Sequence, residues 1–532
     1  MFTKKTLLAL CLLAALCWPA VFAAAAPAVI VNGYQDEAGR RFPEDDVKTI
    51  VAAGDGYNIY TDEANGFSLR YPAHMTVDWS LSAVRTVIAD DTTRIEIYHD
   101  DFRGTAATAA DYIHYGNKYV KASPHHTILA DRWLQAGGRQ VHLLAWTRPA
   151  LARVSGDKNH YASLEIVADE NDVYTVFIKS AVPITNASDI LAGFAVVDRR
   201  GVPRNYKRYA PSRTPMNAET AAFFGRYFGD RAPLTWGIFE PSAPQTLGPL
   251  AAIEKRLDFT FPVLLHYQMF DEQFPVWGLD NAYRNGKYVE LTLQTVFSGE
   301  VNALWATENR NAGMVYAILD GRYDDYFAAY ADKLKAFGHP VLFRLNNEMN
   351  GDWCWYSAFY TGKDADLYQA LWRYIHDLFV ARGVENVVWV WNPHDVSLPA
   401  FKWNNYLAYY PGDAYVDVIG LTGYNNGTYF PGERWREFAE IYPALHDEYA
   451  NHIDKPFMIT EFASNSVGGD KVAWIHGMFD GIKKLDRLKV AVWWSGVDFD
   501  RQGNPGRIYL INENDAVLDA FRERLKEYKG GR

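Results

Sequence analysis

The sequence predicts an α/β fold, a (β/α)8 barrel preceded by a smaller α+β domain, on three observations. The chain has 532 residues, enough for two folded units. From about Pro233 onward, short apolar runs alternate with helical patterns, the order expected of a parallel sheet with crossover helices. Eight such runs can be counted, and no Gly-rich phosphate turn follows the first, which disfavours an open doubly wound sheet.

Residues 1–26 combine a basic start at Lys4 and Lys5, an apolar run from Leu7 to Val21 and small residues Ala23 to Ala26. That is the pattern of a secretory signal peptide, so a secreted or periplasmic protein is expected. Cys11 and Cys17 lie inside it, leaving Cys354 as the one cysteine of the mature chain and no internal disulfide. No other stretch approaches the roughly 20 apolar residues that span a bilayer, so stable membrane insertion is not expected. The formal charge of −11 argues against nucleic acid as a partner and favours a neutral one. Aromatic residues make up 15% of the chain, including 17 Trp and 34 Tyr, which suits the apolar faces of sugars as well as a large core.

Residues 27–55 read as polar and irregular, and residues 56–197 as the α+β domain. Within the latter, Arg94 to His99, Gln140 to Trp146, Ser163 to Val167 and Val173 to Lys179 have strand character, and Ala107 to Val120 has that of a helix. Its opening, from Tyr60 to Pro72, resembles the start of small domains related to the photosystem accessory protein PsbP, a likeness that carries no function. The basic, Pro-containing stretch from Asp198 to Arg213 reads as a linker or surface strap, placing a connection at residues 198–225. The barrel then fills residues 226–532. Its strands are expected at Leu234 to Phe239, Val263 to Met269, Tyr288 to Val296, Val341 to Leu345, Asn386 to Trp391, Val416 to Leu421, Phe457 to Thr460 and Val490 to Trp494. Asp364 to Arg382 is a representative crossover helix, with Leu367, Leu371, Tyr374, Ile375 and Leu378 on one face.

In such barrels the strand C-termini form the reactive rim. The fourth run stays apolar until Asn346, Asn347 and Glu348, and the seventh ends at Glu461. A carboxylate at such a place is costly unless paired or used. Two carboxyl groups about 5 to 5.5 Å apart would suit cleavage of a glycosidic bond with retention of configuration. Arg344 lies four residues before Glu348, hence on the same strand face, and is placed to orient a carboxylate or to form an interior salt bridge. Asn392 and His394 follow the fifth strand, within reach of a substrate or simply forming a turn. Of Trp493 and Trp494, alternation lets one face the lumen; Trp494 is the candidate floor for the sugar. Cys354 reads as a buried spectator. The 14 His show no metal-ligand spacing, and no cofactor or metal is expected.

Glutamates on the fourth and seventh strands match the large clan of retaining barrel glycosidases. Four ordered segments resemble glycoside hydrolase family 26: Asn347-Glu-Met-Asn-Gly-Asp-Trp-Cys-Trp, Val387-Val-Trp-Val-Trp-Asn-Pro, Tyr410 to Asn425, and Lys455-Pro-Phe-Met-Ile-Thr-Glu-Phe. The resemblance covers roughly Arg344 to Trp494. It implies a retaining, endo-acting hydrolase of a β-linked polysaccharide, with Glu348 as acid/base, Glu461 as nucleophile and Tyr424 beside the nucleophile, donating a hydrogen bond to it or toward the sugar ring oxygen. It further implies that Trp353 stacks on sugar. Two departures bear on substrate. Asn347 stands where mannanases of the family carry His before the acid, and Leu293-Gln-Thr-Val-Phe-Ser replaces a Trp-His-x-x-Asn-Pro segment, leaving His266 on strand two as the candidate compensating histidine. Mannan is therefore joined by β-glucan, xylan and bacterial exopolysaccharide as expected substrates. A noncatalytic polysaccharide-binding or assembly protein is the reading from another class, and it gives no reason to keep both Glu348 and Glu461.

Overall fold

The computed structural model describes residues 27–31, 34–36, 43–207 and 212–529. The expected signal peptide lies outside them. Among the described residues no helix is long and apolar enough to cross a membrane.

Eight parallel strands close into a barrel in chain order: β1 (Thr235–Phe239), β2 (Val263–Gln268), β3 (Tyr288–Leu293), β4 (Val341–Leu345), β5 (Val387–Trp391), β6 (Val418–Thr422), β7 (Phe457–Phe462) and β8 (Leu488–Trp494). The ring is sealed by β8 on β1, from Thr235 opposite Val490 to Phe239 opposite Trp494. The strands read as nearly unbroken apolar runs because both of their faces are covered. Leu264, Leu291, Phe343, Trp389, Ile459 and Trp493 pack outward with the helices. Val263, Leu265, Leu342, Val388, Val418, Met458 and Val490 pack inward as a separate cluster.

That inner cluster is closed from below by helix Ala218–Phe228. Phe223, Phe224, Tyr227 and Phe228 fall on one face at helical spacing and join the inward valines and leucines. Asn217 caps the helix by accepting from the Thr220 amide at 2.8 Å. The expected connection at 198–225 therefore ends inside a helix that belongs to the barrel. Upstream, residues 198–207 form a strap: Arg199 pairs with Asp101 and Asp172 at 3.0 Å each.

The N-terminal unit is a nine-stranded sheet backed by a four-stranded one. Residues 27–55, expected to be irregular, contribute strands at Val29–Val31 and Tyr34–Asp36 to the larger sheet and Lys48–Gly54 to the smaller. Val29-Ile-Val31 and Thr49-Ile-Val-Ala-Ala53 have strand character but are short runs within a polar segment, and pairing with neighbours supplies the order. One face of the large sheet, including Ile95, Ile97, Leu164, Val176 and Ile178, packs on the small sheet. The other, including Tyr98, Leu144, Trp146, Tyr161 and Phe177, joins the core of the barrel. Strand Asp172–Ser180 is buried at every position for this reason.

Helix Ala109–Ala122, opened by a reciprocal Thr108 and Asp111 cap, lies between that sheet and the barrel. Its Tyr115 ring stacks on Phe359 at 5.1 Å and Tyr119 meets Tyr360 edge-on at 4.5 Å. Buried ion pairs complete the junction. Lys179 donates to Asp364 at 2.8 Å and Asp366 at 2.6 Å, and Lys363 donates to Glu165 at 2.5 Å. Asp364 in turn caps the crossover helix Ala365–Ala381.

Candidate active site

Toward the C-terminal ends of the strands the inward positions turn polar. On β3 these are Glu290 and Thr292, on β4 Arg344, beyond β5 Asn392, on β6 Thr422 and on β7 Thr460 and Glu461, all buried. Arg344 is fully buried and organises them. Its Nε donates to Thr292 Oγ1 at 2.7 Å, one terminal nitrogen to Asn392 Oδ1 at 3.0 Å, and the other to Glu461 Oε2 at 3.4 Å. Asn392 Nδ2 passes the chain to Thr422 at 3.0 Å, and Thr422 meets Thr460 at 2.8 Å. Asn392 is thus spent inside the wall, holding Arg344, rather than reaching substrate as the sequence suggested. A fully buried guanidinium is tolerable only with such a set of acceptors.

Glu461 lies within β7 rather than after it. Opposite β6 the register moves from Leu421↔Ile459 to Thr422↔Glu461, a bulge that skips Thr460. Period-two alternation alone would turn Glu461 outward once Met458 and Thr460 face in; the extra residue turns it back toward Arg344. Burial pushes the Glu461 carboxyl up to about 8, and the Asp498 carboxylate pushes the same way. The Arg344 guanidinium opposes this by favouring the ionised form.

Glu348 follows β4 in a backbone conformation unusual for its type. Asn346 and Glu348 have φ of 50° and 56°, a left-handed geometry that costs on the order of 1–3 kcal/mol for a residue such as Glu. The turn is held by the Glu348 amide donating to the Asn392 carbonyl at 2.7 Å, and by the Thr295 amide donating to Asn346 Oδ1 at 2.8 Å. The Glu348 side chain is 15% exposed against 4% for Glu461, so Glu348 is the more open of the two. Trp353 donates its indole N–H to Glu348 Oε2 at 3.1 Å and stands edge-on to His394, whose Nε2 is 3.9 Å from Glu348 Oε1.

Trp494 faces inward and stacks on Phe239 at 5.0 Å between centroids. Trp493 is fully buried among the outer helices, which resolves the alternation left open by the sequence. Tyr424 packs edge-on to Trp494 at 6.4 Å and beside Tyr509 at 5.2 Å. The expected hydrogen bond from Tyr424 to Glu461 is absent among the described residues, because the β7 bulge commits Glu461 to Arg344. Burial, followed by the Glu348 charge, holds the Tyr424 phenol well above its ordinary range, so it remains a donor. Asn347 Oδ1 accepts from Gln294 at 3.0 Å, and its carbonyl accepts from Tyr356 at 2.7 Å. His266 sits opposite Leu291 and shares the outer face of β2 with Leu264, so it points away from Arg344. Burial lowers its pKa to about 4. Tyr267, its neighbour, takes the inner face, with the Arg344 guanidinium 5.4 Å from its ring centre. Cys354 is buried, its thiol 3.7 Å from the Asn347 carbonyl.

Sequence reasoning did not single out Glu290, Thr292, Gln294 or Asp498. The first three had a signal: in Tyr288-Val-Glu-Leu-Thr-Leu-Gln the polar residues fall at every second position, a polar stripe on one strand face. Asp498 comes from the short strand Val497–Phe499, where it pairs with Arg507 at 2.9 Å.

Residues 303–479 match the family model of glycosyl hydrolase family 26. Over 212 residues the chain is 33% identical to Endoglucanase H of Acetivibrio thermocellus, an alignment covering 39% of this chain and 22% of that protein. Over 164 residues it is 37% identical to a mannan endo-1,4-beta-mannosidase of Bacillus subtilis, covering 29% of this chain and 38% of that one. The chain thus spans less than half the length of these curated relatives. Among solved structures, the catalytic domain of a Bacillus sp. endo-beta-1,4-mannanase aligns with 60% of this chain and 93% of its own at 20% identity and a TM-score of 0.44. Residues 303–479, which hold Glu348, Tyr424 and Glu461, are thus the part of the chain similar to glycosyl hydrolase family 26.

Proposed function

We propose that the chain is an endo-acting β-glycoside hydrolase that cleaves a polysaccharide by double displacement. The observation that supports this reading is an open carboxyl, Glu348, just after β4 together with a buried one, Glu461, on β7 that is held by Arg344. In the first step Glu461 attacks the anomeric carbon while Glu348 gives its proton to the departing glycosidic oxygen. The C–O bond to the leaving sugar breaks as the Glu461 ester forms. Water then enters, Glu348 takes its proton, and the ester is released with configuration retained. Trp353 keeps Glu348 oriented through its indole N–H and offers its face to a sugar on the leaving-group side. Trp494 forms the floor beneath the sugar being cleaved, and Tyr424 offers its phenolic proton beside it. Asn347, its oxygen already engaged by Gln294, presents Nδ2 as the donor to a sugar hydroxyl.

The substrate class is β-1,4-mannan or a related β-glucan, as the names of the matched relatives suggest. The Asn347 and Gln294 pair, in place of histidines, favours testing both. Export through residues 1–26 brings the enzyme to polymers outside the cytoplasm. The N-terminal unit, built from residues 27–207, acts as part of the catalytic body. Incubation with mannan, mixed-linkage glucan, xylan and a bacterial exopolysaccharide should release oligosaccharides from one of them, and Glu461→Ala should abolish that release. A 2-fluoro-glycoside should label Glu461 covalently. Undiminished release by Glu461→Ala, or labelling at Glu348, overturns the assignment.

A further inference from the structure

Glu290 is a third carboxyl in the barrel interior, one that the double displacement does not use. It lies on β3 with no exposed surface, and Oε1 is 3.0 Å from Nε of Arg344. That nitrogen spends its proton on Thr292 Oγ1 at 2.7 Å, and neither Glu290 oxygen has a hydrogen-bond partner. The link from Glu290 to Arg344 is therefore electrostatic rather than directional. On its far side the same guanidinium meets Glu461 at 3.4 Å. One buried cation thus stands between two buried carboxyls drawn from strands β3 and β7.

We propose that Glu290 is a positioning residue that sets the ionisation of Glu461 by competing with it for Arg344. The proposal rests on the reading of Glu461 as nucleophile and deepens it. If Glu290 holds a proton, the whole positive charge of Arg344 serves Glu461, and the attacking carboxylate is favoured. If Glu290 is ionised, Arg344 is already neutralised and Glu461 keeps its proton. Two like charges astride a single counter-ion in a dry interior resist ionising together, so the groups titrate as a pair. Burial raises both, Glu290 to about 7 and Glu461 to about 8, which brings the competition into the working range of an enzyme. The charged and titratable groups around the pair are few. Tyr267 of β2 lies beside Arg344 of β4, Glu348 follows β4, Tyr424 follows β6, and Asp498, paired with Arg507, comes from the hairpin after β8.

The test titrates Glu461 directly by carbon NMR of the full chain labelled at glutamate carboxyls, its resonance assigned by loss in Glu461→Gln. In Glu290→Gln the midpoint of Glu461 should fall by about one pH unit. In Arg344→Lys, which keeps the charge and loses the bridge, it should rise. An unchanged midpoint in either folded variant overturns the proposal, since a purely structural Glu290 would move only the melting temperature. The acidic limb of kcat/KM should follow the midpoint downward in Glu290→Gln. A midpoint that falls while the rate profile stays fixed supports the coupling and instead sinks the assignment of Glu461 as nucleophile.

Discussion

At the floor of the barrel the inward positions are Val263, Leu265, Leu342, Val388, Val418, Met458 and Val490, sealed by four aromatic rings of the helix before β1. One or two inward positions further along the strands stand Thr292, Arg344, Asn392, Thr422 and Glu461, tied by side-chain hydrogen bonds and ion pairs, with the Tyr267 ring against Arg344. The floor is stabilised by burial of apolar surface, which lost volume or an unpaired polar group weakens. The mouth keeps charges in a dry place at a cost in stability, a pattern expected of a functional site. Substitutions should therefore separate cleanly: those at the mouth change rate, and those at the floor change stability.

The largest effect is expected at Glu461. Replacing it with Gln should lower kcat at least about 10³-fold on whichever polysaccharide is cleaved, with the melting temperature held or raised, because a buried carboxyl is removed. Glu348→Gln should lose about 10²- to 10⁴-fold on polysaccharide and much less on an aryl glycoside, whose leaving group needs little protonation. Leu342→Ala at the floor should cost about 2–5 kcal/mol in chemical denaturation and leave kcat/KM of the folded protein within about twofold. A rate loss like that of Glu348→Gln would erase the contrast between the two ends.

The mouth also leaves a mark on stability as pH changes. Glu290 and Glu461 have folded pKa values of about 7 and about 8, above the unfolded carboxylate range. Between those values and pH 4.5 the folded state binds more protons than the unfolded one, so their contribution is fully present below that range and is lost as pH rises through 7 and 8. Differential scanning calorimetry should show a lower melting temperature at pH 9 than at pH 5, with a smaller drop in Glu290→Gln. The smallest effect is expected at Tyr115, whose hydroxyl donates to Asp352, the neighbour of Trp353. Tyr115→Phe should cost about 1 kcal/mol and raise KM with little change in kcat, because it loosens the Trp353 loop without touching a reacting group.

The barrel was readable from sequence because its strands, buried on both faces, are written as short apolar runs. Val341 to Leu345 matches the observed strand exactly as far as its ends, and the other seven agree to within a few residues. The places of Glu348 just after β4 and of Glu461 near the end of β7 were readable from the same runs. What escaped was the side each residue faces. A bulge at Thr460 cannot be seen in Met-Ile-Thr-Glu-Phe, and it decides that Glu461 meets Arg344 rather than Tyr424. For His266, alternation with Leu264 on the same strand sets the side chain outward, opposite Leu291 of β3. The strands at 27–55 escaped because their order comes from pairing partners far along the chain, such as Val29 with Val77.

The helix Ala109–Ala122 presses Tyr115 and Tyr119 onto Phe359 and Tyr360, in the loop that carries Trp353. Cutting the chain between the two units would strip those rings bare and leave Lys363 and Asp364 without Glu165 and Lys179. The barrel is consequently not a transferable cassette: the loop that carries Trp353 took shape against this one neighbour, and any swap or truncation of the front half edits that loop as well.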